Sequence, residues 1–270
     1  MLDILQFDFM VNAIIAGILV SIASGIIGSL IVVNRMVFLA GGIAHTAYGG
    51  IGIAIYFSLP IFLGASVFSA LAALLIAFVT INQKQNLDIF IGLIWAVGMA
   101  IGIILVDLSP GYNVDLISYL FGSILAVSNF DLKYMSGLLL FIILIILKYY
   151  RQILAVSYDR SYASLRGINI KFFYTLILVL SALSIVMAIK VVGLILVIAL
   201  LTIPIYISQN LSSSLALMML ISGILSSFFT LLGLYLSFTY DLTSGASIII
   251  VSAIFLILYL IFKKFKYNNI

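Results

Sequence analysis

Long apolar runs follow one another through almost the whole chain, each about as long as a membrane-spanning helix. A helix needs about 20 apolar residues to cross the hydrocarbon core of a bilayer. The sequence supplies run after run of that length, separated by very short polar breaks. Only 7% of the residues are charged and 66% are hydrophobic, whereas roughly a quarter are charged in a soluble domain. The chain is therefore predicted to be an integral membrane protein.

These runs predict an all-α polytopic bundle of about eight to nine transmembrane helices, in a single domain over residues 1–270. The predicted spans are 10–33, 37–57, 61–81, 88–107, 132–150, 171–189, 191–207, 213–237 and 244–262. The segment 115–127 is too short to span and predicts a re-entrant half-helix. Such a segment survives only where protein or a water-filled cavity covers its backbone.

The basic residues predict the orientation. With the N-terminus outside, ten of the twelve fall on the cytoplasmic side: Arg35, Lys84, Lys148, Arg151, Arg160, Arg166, Lys171, Lys263, Lys264 and Lys266. Only Lys133 and Lys190 then lie outside. Cytoplasmic loops carry an excess of Lys and Arg, so we predict the N-terminus outside and the C-terminus in the cytoplasm. The same rule explains the pI near 9.2 better than nucleic-acid binding does.

Every acidic residue is Asp, and six of the eight lie at or near the predicted outer face: Asp3, Asp8, Asp107, Asp115, Asp131 and Asp241. Carboxylates around an outer mouth raise the local concentration of cations. Asp107, Asp115 and Asp241 are thus candidate pathway or gate residues. The alternative is that each is a solvated loop residue.

The only histidine, His45, falls near the middle of the second predicted span. An ionisable side chain in a membrane normally faces the bundle interior or a solvated path. Neutral imidazole also binds borderline metals such as zinc, so His45 is a candidate pathway residue and metal ligand. The alternative is a structural histidine that hydrogen bonds to a backbone carbonyl. The surrounding glycines indicate close approach of another helix.

The longest polar break, residues 151–171, predicts a short charged helix at the cytoplasmic surface. Tyr158, Tyr162 and Leu165 recur at a spacing that predicts one face of that helix. Gly167 stands where a left-handed cap would end it. Such a helix is either a surface for a soluble partner or a connector that rests on lipid headgroups.

The apolar run 191–208 contains Pro204 near its end. Proline frees backbone carbonyls and kinks or ends a helix, and Thr202 is placed to satisfy one of these groups. A kink beside a pathway can act as a gate, which makes Thr202 and Pro204 further candidates.

The sequence contains no G-x-x-x-x-G-K-[ST] phosphate loop, so the chain is not expected to bind ATP in that way. It also lacks the residue clusters of a zinc enzyme or of a nucleophile with its base. We expect a transport subunit that is not itself an enzyme and binds no cofactor. If transport is driven by ATP, another subunit binds ATP and magnesium.

Four ordered blocks resemble one family, the membrane-spanning permease subunits of prokaryotic ABC importers for zinc, manganese and iron, the ABC-3 family. They are GSLIVVNRMVFLAGGIAHTAYGG (28–50), SYDRSYASLRGIN (157–169), VGLILVIALLTIP (192–204) and LSFTYDLTSGASIII (236–250). The matching positions include Arg35, Met36, Ala44, His45, Asp159, Ala163 and Gly167. Together the blocks cover most of the chain from about 28 to 262.

The resemblance has three departures. Gly42 stands three residues before His45, where many members have Asp. Ile205 and Tyr206 follow Pro204, where small residues are usual, and Thr243 stands where a proline often precedes the Ser-Gly pair. The first change removes a carboxylate next to His45 and leaves the choice of metal open.

The resemblance implies an assembly in the prokaryotic cytoplasmic membrane. Two permease copies, a homodimer, would form the path within the membrane lipid, and an extracytoplasmic metal-binding protein would deliver the ion. Two cytoplasmic ATP-binding subunits would dock on residues 157–169. The residues implied in this coupling are Tyr158, Asp159, Arg160, Ala163, Arg166 and Gly167.

Three alternatives remain open from the sequence. A permease of a siderophore or cobalamin ABC importer works with the same kinds of partner subunits, but its sequence lacks the block 192–204 in this form. A secondary carrier would need mid-span acids, which this chain lacks. A membrane scaffold would have no reason to carry a coupling segment.

Overall fold

The computed structural model of the chain describes residues 7–81, 87–109 and 122–267, and these are helical without any strand. The helices are α1 (Asp8–Val33), α2 (Val37–Tyr56), α3 (Ile61–Thr80), α4 (Leu87–Asp107), α5 (Asn129–Tyr158), α6 (Arg160–Leu165), α7 (Ile170–Val192), α8 (Val197–Leu200), α9 (Ile203–Leu211), α10 (Leu215–Tyr240) and α11 (Ser244–Tyr267). A single 3₁₀ turn, Ile124–Ala126, precedes α5 among the described residues.

Eight of the helices are long and apolar enough to cross a membrane. Because backbone groups in hydrocarbon must be satisfied within the chain, continuous helices are the expected way to cross it. The predicted polytopic bundle is therefore confirmed. The predicted span 191–207 is wrong as a single helix, since the chain is broken there into α8 and α9.

Hydrogen bonds and an ion pair show how the helices run. The Asn34 amide, after α1, donates to Ser157 Oγ in the last turn of α5 (3.0 Å), so α1 and α5 end together. Lys190, near the end of α7, pairs with Asp131, at the start of α5, so α7 runs antiparallel to α5. We call the end near Asn34 the basic end and the end near Asp131 the acidic end.

The broken segment also passes from one end to the other. Helix α10 is antiparallel to α1, since Ser21 bonds to Thr230 (3.0 Å) and Ser29 to Ser222 (3.3 Å). It therefore starts at the basic end, whereas α7 finishes at the acidic end. The eight long helices and the α8–α9 segment together make nine passes between the two ends. The start of α1 and the end of α11 therefore lie at opposite ends of the bundle.

Small residues bring neighbouring helices close together. A Cβ at Gly50 of α2 would collide with the carbonyl oxygen of Gly64 in α3, and one at Gly52 would lie 2.5 Å from the carbonyl oxygen of Gly102 in α4. The close helix approach that the glycines indicate is confirmed. Helix α2 is thereby enclosed, and 83% of the residues in its most apolar stretch are buried.

Helix α5 extends well beyond the predicted span 132–150. Its 30 residues correspond to about 45 Å at 1.5 Å per residue, compared with about 30 Å for the hydrocarbon core. Tyr149 has non-helical dihedral angles (φ −113°, ψ 17°) and marks a kink. Helix α5 is therefore longer than the hydrocarbon core requires, and its last turns continue beyond the kink to the basic end.

The predicted half-helix 115–127 lies partly outside the described residues, which resume at Gly122. From Gly122 onward the chain packs closely against the acidic end of the bundle. A Cβ at Gly122 would collide with the backbone of Gly193, and Ile124 is fully buried. The Asn12 amide donates to the carbonyl of Val127 (3.3 Å).

Candidate functional site

His45 lies on α2 with its ring stacked on Trp95 of α4. The ring centroids are 4.1 Å apart and the planes differ by 13°. The buried Nδ1 atom has no hydrogen-bond partner among the described residues, so the predicted alternative of a carbonyl-bonded structural histidine finds no support at this nitrogen. A half-buried imidazole with an unused nitrogen is able to accept a further ligand.

The broken segment packs next to this histidine. Gly41 precedes His45 by one helical turn, and a Cβ at Gly41 would lie 2.8 Å from Cδ1 of Ile198 in α8. One turn after Ile198, the Thr202 hydroxyl donates to the Ile198 carbonyl (2.7 Å). Ring contacts join Phe38, Trp95 and His45, and Ile198 and Thr202 follow one another on the broken segment beside Gly41. We call these five partly exposed side chains, Phe38, His45, Trp95, Ile198 and Thr202, the His45 strip.

The backbone breaks at two points along this segment. Gly193 adopts a positive φ of 87° directly after α7, a conformation that favours glycine. Pro204 lies in the first turn of α9, where its missing N–H is harmless. The Thr202 hydroxyl also approaches the Ala199 carbonyl (3.4 Å). Thr202 therefore satisfies carbonyls at the end of α8, whereas the prediction concerned a carbonyl freed by Pro204, which in a continuous helix is that of Leu200.

The acidic candidates do not join the strip. Asp107 is exposed at the acidic end of α4, and Asp115 lies outside the described residues. Asp241 is exposed and ends α10 in the left-handed region (φ 52°), which aspartate tolerates better than most residues. Among the described residues, no three His, Cys, Asp or Glu side chains are placed to hold a metal together.

Asp131 lines a pocket at the acidic end together with Lys190, and it is there as a paired carboxylate, not a free one. Its side chain is only 13% exposed and lies 3.3 Å from Lys190 Nζ. The carboxylate also accepts the Ser128 N–H (3.1 Å), while Ser128 Oγ accepts the Asp131 N–H (3.2 Å). This capping box and ion pair fix the start of α5 to the end of α7.

At the basic end, α6 is a short helix that is capped at both ends. Asp159 Oδ1 accepts the Tyr162 N–H (2.9 Å), an N-cap contact worth about 1 kcal/mol. Gly167 has a φ of 70°, and the Ile168 N–H donates to the Ala163 carbonyl (3.0 Å). This is the left-handed C-cap that the sequence predicts.

One part of the predicted α6 is wrong. Tyr158 ends α5 and is separated from α6 by the extended Asp159 (φ −144°, ψ 98°), so it does not share a helical face with Tyr162 and Leu165. Ala163 is fully buried, whereas Leu165 is 89% exposed. Arg160 lies over the ring of Tyr174 (5.1 Å) and Arg166 over that of Tyr162 (5.4 Å).

The sequence model of the ABC 3 transport family matches residues 6–263 of this chain. The chain belongs to the ABC 3 transport family. Its resemblance to the permease subunits of metal-ion ABC importers is thereby confirmed.

Three relatives illustrate the match within the ABC 3 transport family. The chain is 46% identical over 98% of its length to an uncharacterized membrane protein from Synechocystis sp., of which it covers 94%. It is 34% identical over 93% of its length to the manganese transport system membrane protein MntC of Halalkalibacterium halodurans, of which it covers 86%. The solved structure of PsaBC from Streptococcus pneumoniae in complex with Fab aligns with a TM-score of 0.86, at 32% identity, over 96% of this chain and 93% of that one.

The departure at Gly42 has a structural counterpart in this ABC 3 family chain. A Cβ at Gly42 would collide with Cγ2 of Ile91 in α4, and Ile91 is fully buried. Ile91 therefore fills the space that a larger side chain at position 42 would need. Position 42 therefore supplies no carboxylate to His45.

Several residues of this ABC 3 family site were not among the sequence candidates. Trp95 was missed because a tryptophan within an apolar span does not indicate, from the sequence alone, which side chain it stacks on. Leu165 was named only as part of a helical face, yet it is the most exposed large apolar side chain of α6. Asp131 and Lys190 pair across the fold, which no local pattern reveals.

Proposed function

We propose that this chain is the permease subunit of an ATP-driven importer that moves a divalent metal ion, manganese, into the cytoplasm. The observation that most supports this proposal is the His45 strip, where an imidazole with an unpartnered nitrogen lies beside a broken helix. Broken helices expose backbone carbonyls that can contact an ion. The manganese systems among the relatives favour this metal over zinc and iron.

Weak binding along the strip suits transport. The strip offers a metal ion one nitrogen, His45 Nδ1, and a few oxygens, those of the Thr202 hydroxyl and of the carbonyls in the broken segment. Such a set gives an ion brief contacts without the deep well of a closed site. An ion must be able to leave each position for flux to continue.

Two copies of the chain would enclose the path, each contributing its His45 strip. The basic end would face the cytoplasm, since the described basic residues gather there and Lys133 and Lys190 alone among them lie near the acidic end. This orientation follows the excess of Lys and Arg in cytoplasmic loops. An extracytoplasmic metal-binding protein would meet the acidic end.

Helix α6 would couple the permease to the cytoplasmic ATP-binding subunits. Its caps hold it rigidly between α5 and α7, and Leu165 projects from it as an exposed apolar side chain. The other residues that the resemblance implies in coupling lie on either side of Leu165 in the sequence: Tyr158, Asp159, Arg160, Ala163, Arg166 and Gly167. A rigid helix transmits a push from a soluble partner better than a loop does.

The proposal is tested by uptake of radioactive manganese, zinc and iron into vesicles that contain this chain with its ATP-binding subunit. We expect manganese to accumulate only with hydrolysable ATP. Accumulation without ATP would favour a secondary carrier. Accumulation of zinc or iron alone would refute manganese as the substrate and keep the importer.

A further inference from the structure

A groove of about 560 Å³ runs along the outside of the bundle between α1, α5 and α10. Its walls include Ile22 and Ile26 of α1, Ile146 and Tyr150 of α5, and Met219 of α10. None of the described residues lining it belongs to α2, α4, α8 or α9, which carry the His45 strip. The groove is therefore separate from the proposed path.

Glycine creates the groove. Helices α1 and α10 cross closely at Gly25, where a Cβ would collide with the backbone of Gly223. Gly223 itself lines the groove, and a Cβ there would touch only the Cα of Ile22, at 3.9 Å. There is thus room for a side chain at position 223, and glycine leaves this space empty.

The length of the groove matches one leaflet of a bilayer. Along α10 it extends from Ala216 to Ser227, which is about 16 Å at 1.5 Å per residue. Half of the hydrocarbon core is about 15 Å. Since α10 starts at the basic end, the groove reaches from that membrane boundary to about the midplane.

A positive charge lies at the mouth. Arg151 directly follows Tyr150, which lines the groove, and stands just beyond the kink at Tyr149. Arg151 is exposed, and the ion pair found among the described residues joins other side chains. Basic side chains at a membrane surface attract anionic headgroups, and tyrosine rings favour the same depth.

We propose that the groove binds one anionic phospholipid. One acyl chain lies between α1, α5 and α10, and the phosphate pairs with Arg151. The lipid fills the space opposite Gly223 that no side chain of this protein occupies. This assignment rests on the membrane placement and not on the transported substrate.

Native mass spectrometry of the purified chain, after removal of loosely held lipid, tests this proposal. Phosphatidylglycerol and phosphatidylcholine with identical acyl chains are added in turn. Gly223→Leu fills the groove, and Gly137→Leu on α5 is the matched control, because a Cβ at Gly137 meets nothing within 4 Å. Arg151→Gln removes only the charge at the mouth.

We expect one phosphatidylglycerol to stay bound to the wild type and to Gly137→Leu, and to be lost from Gly223→Leu. Arg151→Gln should lower the preference for phosphatidylglycerol about fivefold, the loss expected for one basic residue at a membrane surface. Should Gly223→Leu fail to insert, Leu220→Trp fills the same groove from an exposed position.

Three results would overturn the proposal. One is equal lipid retention in Gly223→Leu or Leu220→Trp and in the wild type. Another is an unchanged headgroup preference in Arg151→Gln. The third is a wild-type dimer that Gly223→Leu converts to a monomer, since the groove would then be covered by a second copy of the chain.

Discussion

At the scale of single residues, glycines decide how closely α2 is held by its neighbours. Gly50 and Gly52 meet the backbones of α3 and α4, and a side chain at either position would force these helices apart. Not all glycines act in this way. Gly92 of α4 has nothing within 4 Å of the position of a Cβ.

This contrast predicts opposite effects of the same substitution. Gly50→Ala should lower the free energy of unfolding by about 1–3 kcal/mol, because backbone atoms of α3 must move. Gly92→Ala should be neutral or stabilising by up to about 1 kcal/mol, through helix propensity. Thermal unfolding of both variants in one detergent measures the difference, and an equal loss in both would contradict this packing.

The sequence predicted that small residues around His45 bring a helix close, but it did not identify that helix. Ring stacking of His45 on Trp95 and the pairing of Asp131 with Lys190 join residues that are far apart in the chain. Composition and spacing describe one segment at a time. Contacts between segments follow from the packing of the whole bundle.

At the scale of elements, hydropathy placed most spans well and failed where a helix stops being regular. The run 191–207 is as apolar as a spanning helix, yet it breaks at Gly193 and again before Pro204. Helix α5 continues beyond its predicted span, through Arg151 and Gln152, to Tyr158. The apolar character of a segment indicates that it lies in an apolar environment, but it does not determine whether its backbone is a continuous helix.

The break predicts different roles for two threonines with the same local bond. Thr202 donates to Ile198 (2.7 Å) and Thr239 donates to Tyr235 (2.8 Å), each four residues back. Thr202→Val should slow metal uptake, because the Ile198 carbonyl in the break loses its hydroxyl partner. Thr239→Val lies in a continuous helix and should transport at the wild-type rate. The same rate for both variants would argue against a gating role for the break.

Helix α6 leads to a second prediction at this scale. Leu165→Ala should weaken binding of the ATP-binding subunit without loss of insertion or thermal stability, because an exposed side chain contributes little to folding. Ser161→Ala, another exposed position on α6, is the control and should bind normally. Co-purification of the two subunits measures the effect. Normal binding by Leu165→Ala would remove this residue from the coupling surface.

At the scale of the whole molecule, the nine passes of the described helices leave the start of α1 and the end of α11 at opposite ends of the bundle. The chain has no cysteine, so single introduced cysteines report their location without background. Thr243→Cys, between α10 and α11, should react with an impermeant thiol reagent in intact cells. Ser212→Cys, between α9 and α10, should react only after permeabilisation. The reverse pattern would invert the proposed orientation.

The path that we propose for the metal ion runs along the His45 strip. The most direct test is uptake of radioactive manganese by His45→Gln, in vesicles that also contain the ATP-binding subunit, with Thr239→Val as the background control. We predict a loss of about tenfold or more relative to that control, corresponding to about 1.4 kcal/mol or more at the barrier. Uptake by His45→Gln at the rate of the control would contradict the claim and place the path elsewhere in the bundle.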